Sequence, residues 1–388
     1  MNTKNDVAQT GNFQINCRQL CFFCAFFIPL GKILEAPRIF AQYAAGDLLL
    51  PAFLQFVLQG IAFTLLLFAA AKAKKPLLDA LEDRIGKTGM KIFYFVCSAF
   101  FIFSSLLPLL DLDKFCYAAF FDTSPTVFSF TPFFLLSAFL CMKSLKAYGR
   151  LFDLSLLLFI PSFLALVIFS IKACDFSNLL PLFEKPFSAS LQAMRHTFSF
   201  FYDSALFVFL LNGYTYQQGD GKKIGAAFGV GAAFTLLFLA LFFGVFGAMA
   251  GSEHYAFIKI SQFFPSLKTT GRIDLLFCYL LTILLLFYTC LPLQLALHSF
   301  TRAIHTRKTL LPTIVLNGGL FVFVLFCNNY YNALYEWISV CLAPVFWVFS
   351  YLIPLLILLL IFWKKNKKDG GRGALNKKKS SKKEKKYA

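Results

Sequence analysis

Five long stretches of the chain contain no Asp, Glu, Lys or Arg. A transmembrane helix needs about 20 mostly apolar residues, because the hydrocarbon core of a bilayer is roughly 30 Å thick and a helix rises about 1.5 Å per residue. Each stretch is longer than that, so each predicts a membrane-spanning helix. The stretches are residues 48–71, 224–252, 275–301, 309–335 and 338–363.

Shorter apolar segments raise the predicted number of spans to ten. The first segment lacks a small-residue cleavage site, so it predicts a transmembrane helix rather than a cleaved signal peptide. The chain is therefore expected to be an all-α polytopic membrane protein. The predicted spans are residues 19–43, 48–71, 91–111, 124–142, 150–171, 189–213, 224–249, 273–298, 309–327 and 335–363.

The composition argues for the same class. Of 388 residues, 59% are hydrophobic and 14% are charged, and the mean hydropathy is +0.69. A soluble domain carries roughly 25% charged residues, because its surface faces water. A soluble protein would have to bury all the uncharged stretches at once, which excludes that class.

Basic residues mark the cytoplasmic side. With ten spans and an inside N-terminus, the connections 72–90, 143–149, 214–223 and 299–308 are cytoplasmic, and they contain twelve Lys and Arg. The segment 364–388 contains twelve more. This is the positive-inside pattern, and it predicts that both termini are cytoplasmic.

Three regions follow from this topology: a cytoplasmic N-terminus (1–18), a ten-helix transmembrane domain (19–363) and a basic, disordered cytoplasmic tail (364–388). The tail is interpreted as an orientation anchor, with attraction to membrane lipid of negative charge as the alternative. Nucleic-acid binding is not expected, because aromatic residues are not interleaved with the basic ones.

The sequence carries none of the motifs of catalytic chemistry. It has no phosphate-binding loop, no nucleophile elbow and no plausible catalytic triad. Cys21 and Cys24 form a CxxC, but both lie inside an apolar span, and the four His residues have no metal-ligand spacing. We expect no enzymatic activity, no metal and no cofactor.

Polar residues stand near the middle of the first span. A central Lys32 costs several kcal/mol unless it finds a partner or water, and Glu35 is one turn away in a continuous helix. Pro29, Gly31 and Pro37 surround the two charges and favour a break in the helix. Irregular backbone at this depth predicts either a cavity wall or a kink that a Lys32–Glu35 pair locks in place.

The sixth span repeats this pattern. Arg195 and His196 are expected near the membrane surface, whereas Asp203 lies well inside the apolar run. Interrupted helices at positions one and six of ten are typical of a five-plus-five inverted repeat, in which the broken helices form a site near the bilayer midplane. The two interruptions therefore predict a substrate site between helices one and six.

Four segments of the chain, taken in order, resemble one known family. They are RQLCFFCAFFIPLGKILEAPRI followed by YAAGD, DFSNLLPLFEKPFSASLQAMRHTFSFFYDS, GRIDLLF, and YEWISVCLAPVFWVFSYLIPLLILLL. Their order and spacing resemble the B subunit of spore nutrient-germinant receptors (GerAB-type), within the amino acid–polyamine–organocation transporter superfamily. The resemblance covers roughly residues 15–365.

The resemblance implies ten helices in the 5+5 inverted-repeat transporter fold, a place in the spore inner membrane, and association with A- and C-type receptor subunits. It also implies a small-molecule germinant, an amino acid or another nutrient. The family commonly has an acidic residue where this chain has Ser204, and Asp203 stands one position earlier. Either Asp203 replaces that carboxylate or the choice of ligand differs.

The candidate ligand-binding residues lie in spans one, six and eight. We expect Gly31 to help expose backbone groups, Lys32 to supply a fixed positive charge, and Asp203 to face a ligand amine. Lys32 would either stand in for a cation or pair with Glu35. Thr289 would either face the cavity or donate a hydrogen bond to the backbone of its own helix. The full set is Gly31, Lys32, Glu35, Ser199, Phe200, Asp203, Tyr288, Thr289 and Gln294.

Two classes of function remain open, with a third behind them. The protein is a nutrient sensor, in which ligand binding shifts a conformational equilibrium that partner subunits read. Alternatively, it is an active permease for amino acids or ions, with Lys32, Glu35 or Asp203 handling a coupling charge. The third reading is a scaffold whose site has decayed.

Overall fold

The computed structural model describes residues 15–73, 75–120, 126–180, 183–262, 274–306, 309–327 and 330–362, and the regular structure within these ranges is entirely helical. The predicted tail and most of the predicted N-terminal region lie outside them. The helices are α1 Cys17–Leu30, α2 Ala36–Ala44, α3 Leu49–Ala73, α4 Leu77–Phe120, α5 Thr126–Cys141, α6 Leu145–Ser170, α7 Phe187–Thr197, α8 Asp203–Asn212, α9 Asp220–Phe246, α10 Ala256–Gln262, α11 Asp274–Ile304, α12 Leu310–Cys327, α13 Tyr331–Cys341 and α14 Ala343–Phe362.

Seven helices in the described part of the chain are long and apolar enough to cross a membrane: α3, α4, α6, α9, α11, α12 and α14. Large apolar side chains cover their outer faces, and Phe68 on α3 and Leu157 on α6 are 62% and 64% exposed. Helices that are apolar on their outer faces are suited to lipid rather than water. The chain is a multi-pass integral membrane protein.

The first and sixth apolar segments are each broken in the middle, as expected. The first is divided into α1 and α2 by the non-helical residues 31–35, and Pro37 lies in the first turn of α2, where its missing N–H costs no helical hydrogen bond. The sixth is divided into α7 and α8 by a short 3₁₀ turn at Phe198–Phe200 and two further residues. That these are helices one and six of ten stays a prediction, as does the inverted repeat.

Helix α4 is longer than the sequence suggested. The acidic residues Asp111 and Asp113 were expected at the membrane edge and in the loop 112–123, but the helix continues through both, and each is only 2% exposed. Their apolar neighbours Leu110 and Leu112 are buried as well, so protein packing rather than water surrounds residues 110–113 of α4. Its other end bends at Gly86, whose φ of 85° lies in the region that favours glycine.

Helix α9 packs closely against α1 at a π-helical turn of α1, Phe23–Phe27. A Cβ atom added at Gly231 of α9 would lie 2.3 Å from the backbone oxygen of Cys24. Small residues allow membrane helices to approach one another in this way. The close contact holds the first, interrupted segment against the rest of the bundle.

Gly231→Ala should destabilise the fold by about 1–3 kcal/mol, because the new methyl group must push two helix backbones apart. The measurement is thermal unfolding of the detergent-solubilised protein. Gly225→Ala is the matched control: it lies on the same helix, and its added Cβ would meet nothing within 4 Å. Equal loss of stability in the two variants would contradict the contact.

Candidate functional site

A buried ion pair joins the two helix breaks. The ammonium group of Lys32, from the first break, pairs with the Oδ2 atom of Asp203 at the start of α8, and both side chains are 0% exposed. Lys32 Nζ also donates to the backbone oxygen of Ile28 at 3.2 Å and lies 4.8 Å from the ring centre of Phe201. A charge removed from water needs such a partner. The pair neutralises the charge that the sequence placed in mid-membrane.

Helix α3 supports this pair from a third side. Gln59 Nε2 donates to Asp203 Oδ2 at 2.7 Å. One turn away, Gln55 Nε2 donates to the backbone oxygen of Met194 at 2.7 Å, and its Oε1 atom accepts from Thr197 Oγ1 at 3.1 Å. The two glutamines thus bind the chain on both sides of the sixth-segment break.

The sequence analysis missed both glutamines, although a signal was present. They are four residues apart in an otherwise apolar, uncharged stretch, so they share one face of α3. A polar face on a helix inside lipid must point to protein or a cavity.

A small cavity lies between the two breaks and α4 and α11. The centre of a water molecule can occupy about 20 Å³ of this cavity, which is little more than the room for one water molecule. We call it the central cavity. It is lined by Leu30, Gly31, Leu34, Pro108, Asp111, Leu112, Ser199, Phe200, Tyr202, Leu285, Tyr288 and Thr289.

One polar atom at the central cavity lacks a partner among the described residues. The Ser199 hydroxyl is buried and makes no hydrogen bond to any of them, whereas the Tyr202, Tyr288 and Asp203 side chains interact with one another. Burying an unsatisfied polar group costs about 1–3 kcal/mol. Such an atom is suited to bonding a small polar molecule held between the two breaks.

Tyr288 closes one wall of the central cavity. A Cβ atom added at Gly31 would lie 2.2 Å from its hydroxyl oxygen, so the ring lies directly against the end of α1. Its neighbour Thr289 also lines the cavity. The Thr289 hydroxyl donates to the backbone oxygen of Leu285 at 3.0 Å, so it bonds the backbone of its own helix.

Seven of the nine candidate residues come together here. Gly31, Ser199, Phe200, Tyr288 and Thr289 line the central cavity, and the Lys32–Asp203 pair lies beside it. Their roles in ligand binding stay predictions. Glu35 and Gln294 are not in its lining.

The Lys32–Glu35 pair, one of the two alternatives for Lys32, does not form. Residues 31–35 are not helical, so the spacing that would have placed the two side chains one turn apart does not apply. Glu35 instead accepts hydrogen bonds from Arg38 Nε and from the backbone N–H of Tyr255, both at 3.0 Å. It therefore attaches the broken segment to the chain that precedes α10.

Gln294 lies further along α11 than the cavity residues. Its Nε2 atom donates to the backbone oxygen of Lys143 at 2.6 Å, between α5 and α6. The sequence showed that Gln294 is polar but not how far it lies from the cavity. It follows Tyr288 by six residues, which is about 9 Å along the helix.

The comparison with known families decides the assignment. The family described as Spore germination protein matches residues 14–333, more than three quarters of the chain. The chain belongs to this family. No curated protein matches it significantly.

Solved structures show the fold of this spore germination protein. A mutant of a manganese transporter from Eremococcus coleocola is 14% identical, with a TM-score of 0.58 over 92% of this chain and 80% of that one. MhsT in complex with L-phenylalanine is 12% identical, with a TM-score of 0.60 over 90% of this chain and 98% of that one. At such identities the likeness shows the fold alone, one that this chain shares with both of these proteins.

Proposed function

We propose that this protein is the nutrient-sensing membrane subunit of a spore germinant receptor. A small germinant, an amino acid in the first instance, binds in the central cavity and initiates germination. One observation carries the proposal: two broken helices of a transporter fold meet at a buried ion pair, beside a cavity where the Ser199 hydroxyl has no partner among the described residues. Midplane breaks of this kind form the substrate sites of inverted-repeat transporters.

The ion pair suggests how binding is read. The first and sixth segments are joined at mid-membrane by Lys32 and Asp203, so a ligand that changes their distance changes both segments together. Lys32 supplies the Asp203 carboxylate with a cation, and we propose that it stands in for a bound ion. A ligand that favours one arrangement of the breaks shifts the equilibrium toward it, and partner subunits respond.

The remaining parts of the proposal rest on the family resemblance of the sequence. They are the ten-helix count, the inverted repeat, cytoplasmic termini, the spore inner membrane, and association with A- and C-type subunits. Positive charge along the predicted cytoplasmic connections supports the orientation. The transporter fold favours an active permease as the second candidate.

Binding and uptake measurements separate these functions. The protein in lipid nanodiscs should bind at least one of the twenty radiolabelled L-amino acids saturably, and a Lys32→Ala, Asp203→Asn variant should lose that binding. The same amino acid offered to vesicles should not accumulate if the protein is a sensor, whereas accumulation identifies a permease. If the folded wild type binds none of the panel, the protein does not recognise amino acids on its own.

A further inference from the structure

A short connecting segment is bonded to the break in the first helix. Residues 247–255 join α9 to α10, and we call them the lid segment. The backbone N–H of Tyr255 donates to Glu35 Oε1 at 3.0 Å. The N–H of Ala256, the first residue of α10, donates to the backbone oxygen of Leu34 at 3.0 Å. Because Leu34 lines the central cavity, the end of the lid segment is attached directly to the cavity wall.

Glu35 is the main polar anchor of this attachment. Its side chain is 1% exposed, and its Oε2 atom accepts from Arg38 Nε of α2 at 3.0 Å. The same oxygen lies 3.4 Å from Nδ1 of His254 in the lid segment. One carboxylate thus binds the broken first segment and the lid segment together. A buried carboxylate that loses its donors is strongly disfavoured, so these contacts keep the lid segment in place.

The lid segment has an unfavourable backbone conformation where it meets Glu35. Tyr255 has a φ of 55°, in the left-handed region that side chains rarely adopt. Such a conformation persists only where surrounding contacts impose it. The lid segment therefore gains backbone freedom when its contacts with the first helix are released.

The opposite end of the first segment is also attached to the bundle, but further from the cavity. Asp153 of α6 pairs with Arg18 at 3.1 Å and accepts from Gln19 Nε2 at 3.0 Å. Gln19 precedes Gly31 of the cavity lining by twelve residues, which is roughly 18 Å along a helix. The lid segment, in contrast, is attached at the lining itself, so its release opens the cavity wall by the shorter movement.

We propose that the lid segment covers the central cavity and that Glu35 is its latch, so that the germinant enters when the lid segment leaves residues 34–35. This inference rests on the function proposed above and adds the route by which the ligand reaches its site. The connection between α9 and α10 lies on the side that the positive-inside pattern predicts to be outside the cytoplasm. A nutrient arriving from outside therefore meets the lid segment first.

A disulfide between the lid segment and α2 tests this route. A Cβ atom added at Gly251 would lie 3.6 Å from Gln42 Cβ, a separation that disulfides adopt. The full-length Gln42→Cys, Gly251→Cys protein is oxidised in nanodiscs, and mass spectrometry confirms the cross-link. The natural chain already contains eleven cysteines, so the two single variants, oxidised in the same way, are the matched controls.

Locking the lid segment should slow ligand entry. The radiolabelled amino acid identified in the nanodisc panel should associate at least tenfold more slowly with the cross-linked protein than with the same protein after reduction. In each single variant, oxidation should change the rate less than twofold. An unchanged association rate in the cross-linked protein overturns the inference and leaves the proposed function in place.

A reporter in the cavity lining gives a second measurement that needs no ligand. Ser199→Cys is added to the double variant, and a small, charged methanethiosulfonate is applied after the cross-link has formed. Mass spectrometry of the peptide that contains position 199 should show modification at least tenfold slower than in protein that was reduced and freed of reductant. Unchanged modification overturns the lid. If the wild type binds no amino acid, the proposed function fails, and this measurement decides the lid alone.

Glu35→Gln covers the case in which the cross-linked variant does not fold. It keeps the size of the side chain but removes the charge that Arg38 compensates, so the lid segment should open more often. Ligand association and modification at position 199 should both be at least threefold faster. Glu253→Gln is the control, because Glu253 lies in the lid segment but pairs with Lys259 of α10 at 3.1 Å, and it should change both rates less than twofold. Slower or unchanged rates in Glu35→Gln overturn the inference.

Discussion

Lys32→Met should lower the free energy of unfolding by about 3–5 kcal/mol, because it leaves the Asp203 carboxylate buried without its cation. The pair is fully shielded from solvent, so water cannot replace the missing charge. Unfolding of the detergent-solubilised protein, followed by temperature or denaturant, measures the loss.

A double variant distinguishes the ion pair from a packing effect. Lys32→Met combined with Asp203→Asn removes both charges, and the amide can still accept a hydrogen bond from Gln59, which donates to Asp203 in the wild type. Most of the lost stability should return. The stability loss of the double variant is compared with the sum of the losses in Lys32→Met and Asp203→Asn. If the two are equal, the charges are not coupled and the pair does not join the two breaks.

Gly31→Ala should abolish ligand binding, or weaken it at least tenfold, while the protein still folds. The added methyl group would lie 2.2 Å from the Tyr288 hydroxyl and 2.4 Å from the ring carbon that bears it, so the ring must move and the cavity wall that it forms must change shape. Saturation binding of the amino acid identified in the nanodisc panel measures the effect.

Tyr288→Leu in the same chain is the compensating change. Because the clash involves the ring and its hydroxyl, Tyr288→Phe would relieve only part of it, whereas the shorter Leu clears both. The double variant should bind better than Gly31→Ala alone. Gly225→Ala, in open space on α9, controls for the loss of a glycine. Full binding by Gly31→Ala would show that the ligand does not depend on this wall.

Much of the fold could be predicted because lipid imposes one simple requirement. Residues facing hydrocarbon must be apolar, and backbone groups there must bond within the helix, so long uncharged stretches identify helices such as α3 and α9. The same requirement made Lys32 and Asp203 conspicuous. Both proved to lie at the breaks beside the cavity.

The pairing within the site could not be predicted in the same way. Lys32 meets Asp203 across 171 positions of sequence, a contact that depends on how two helix breaks pack, whereas sequence spacing pointed to nearby Glu35. Asp111 was missed for a related reason. An acidic residue at the end of an apolar run resembles a membrane edge, and only the packing of its neighbours shows that it is enclosed.

The small size of the central cavity has a consequence for timing. A site with room for little more than one water molecule cannot accept a nutrient on collision, so association waits for a spontaneous opening. The apparent affinity is then reduced by the fraction of molecules that are open, and the rate of association is limited by the rate of opening rather than by diffusion. In the proposed sensor, a pulse of nutrient shorter than the opening time produces little binding, and a response requires a supply that lasts longer than the opening time.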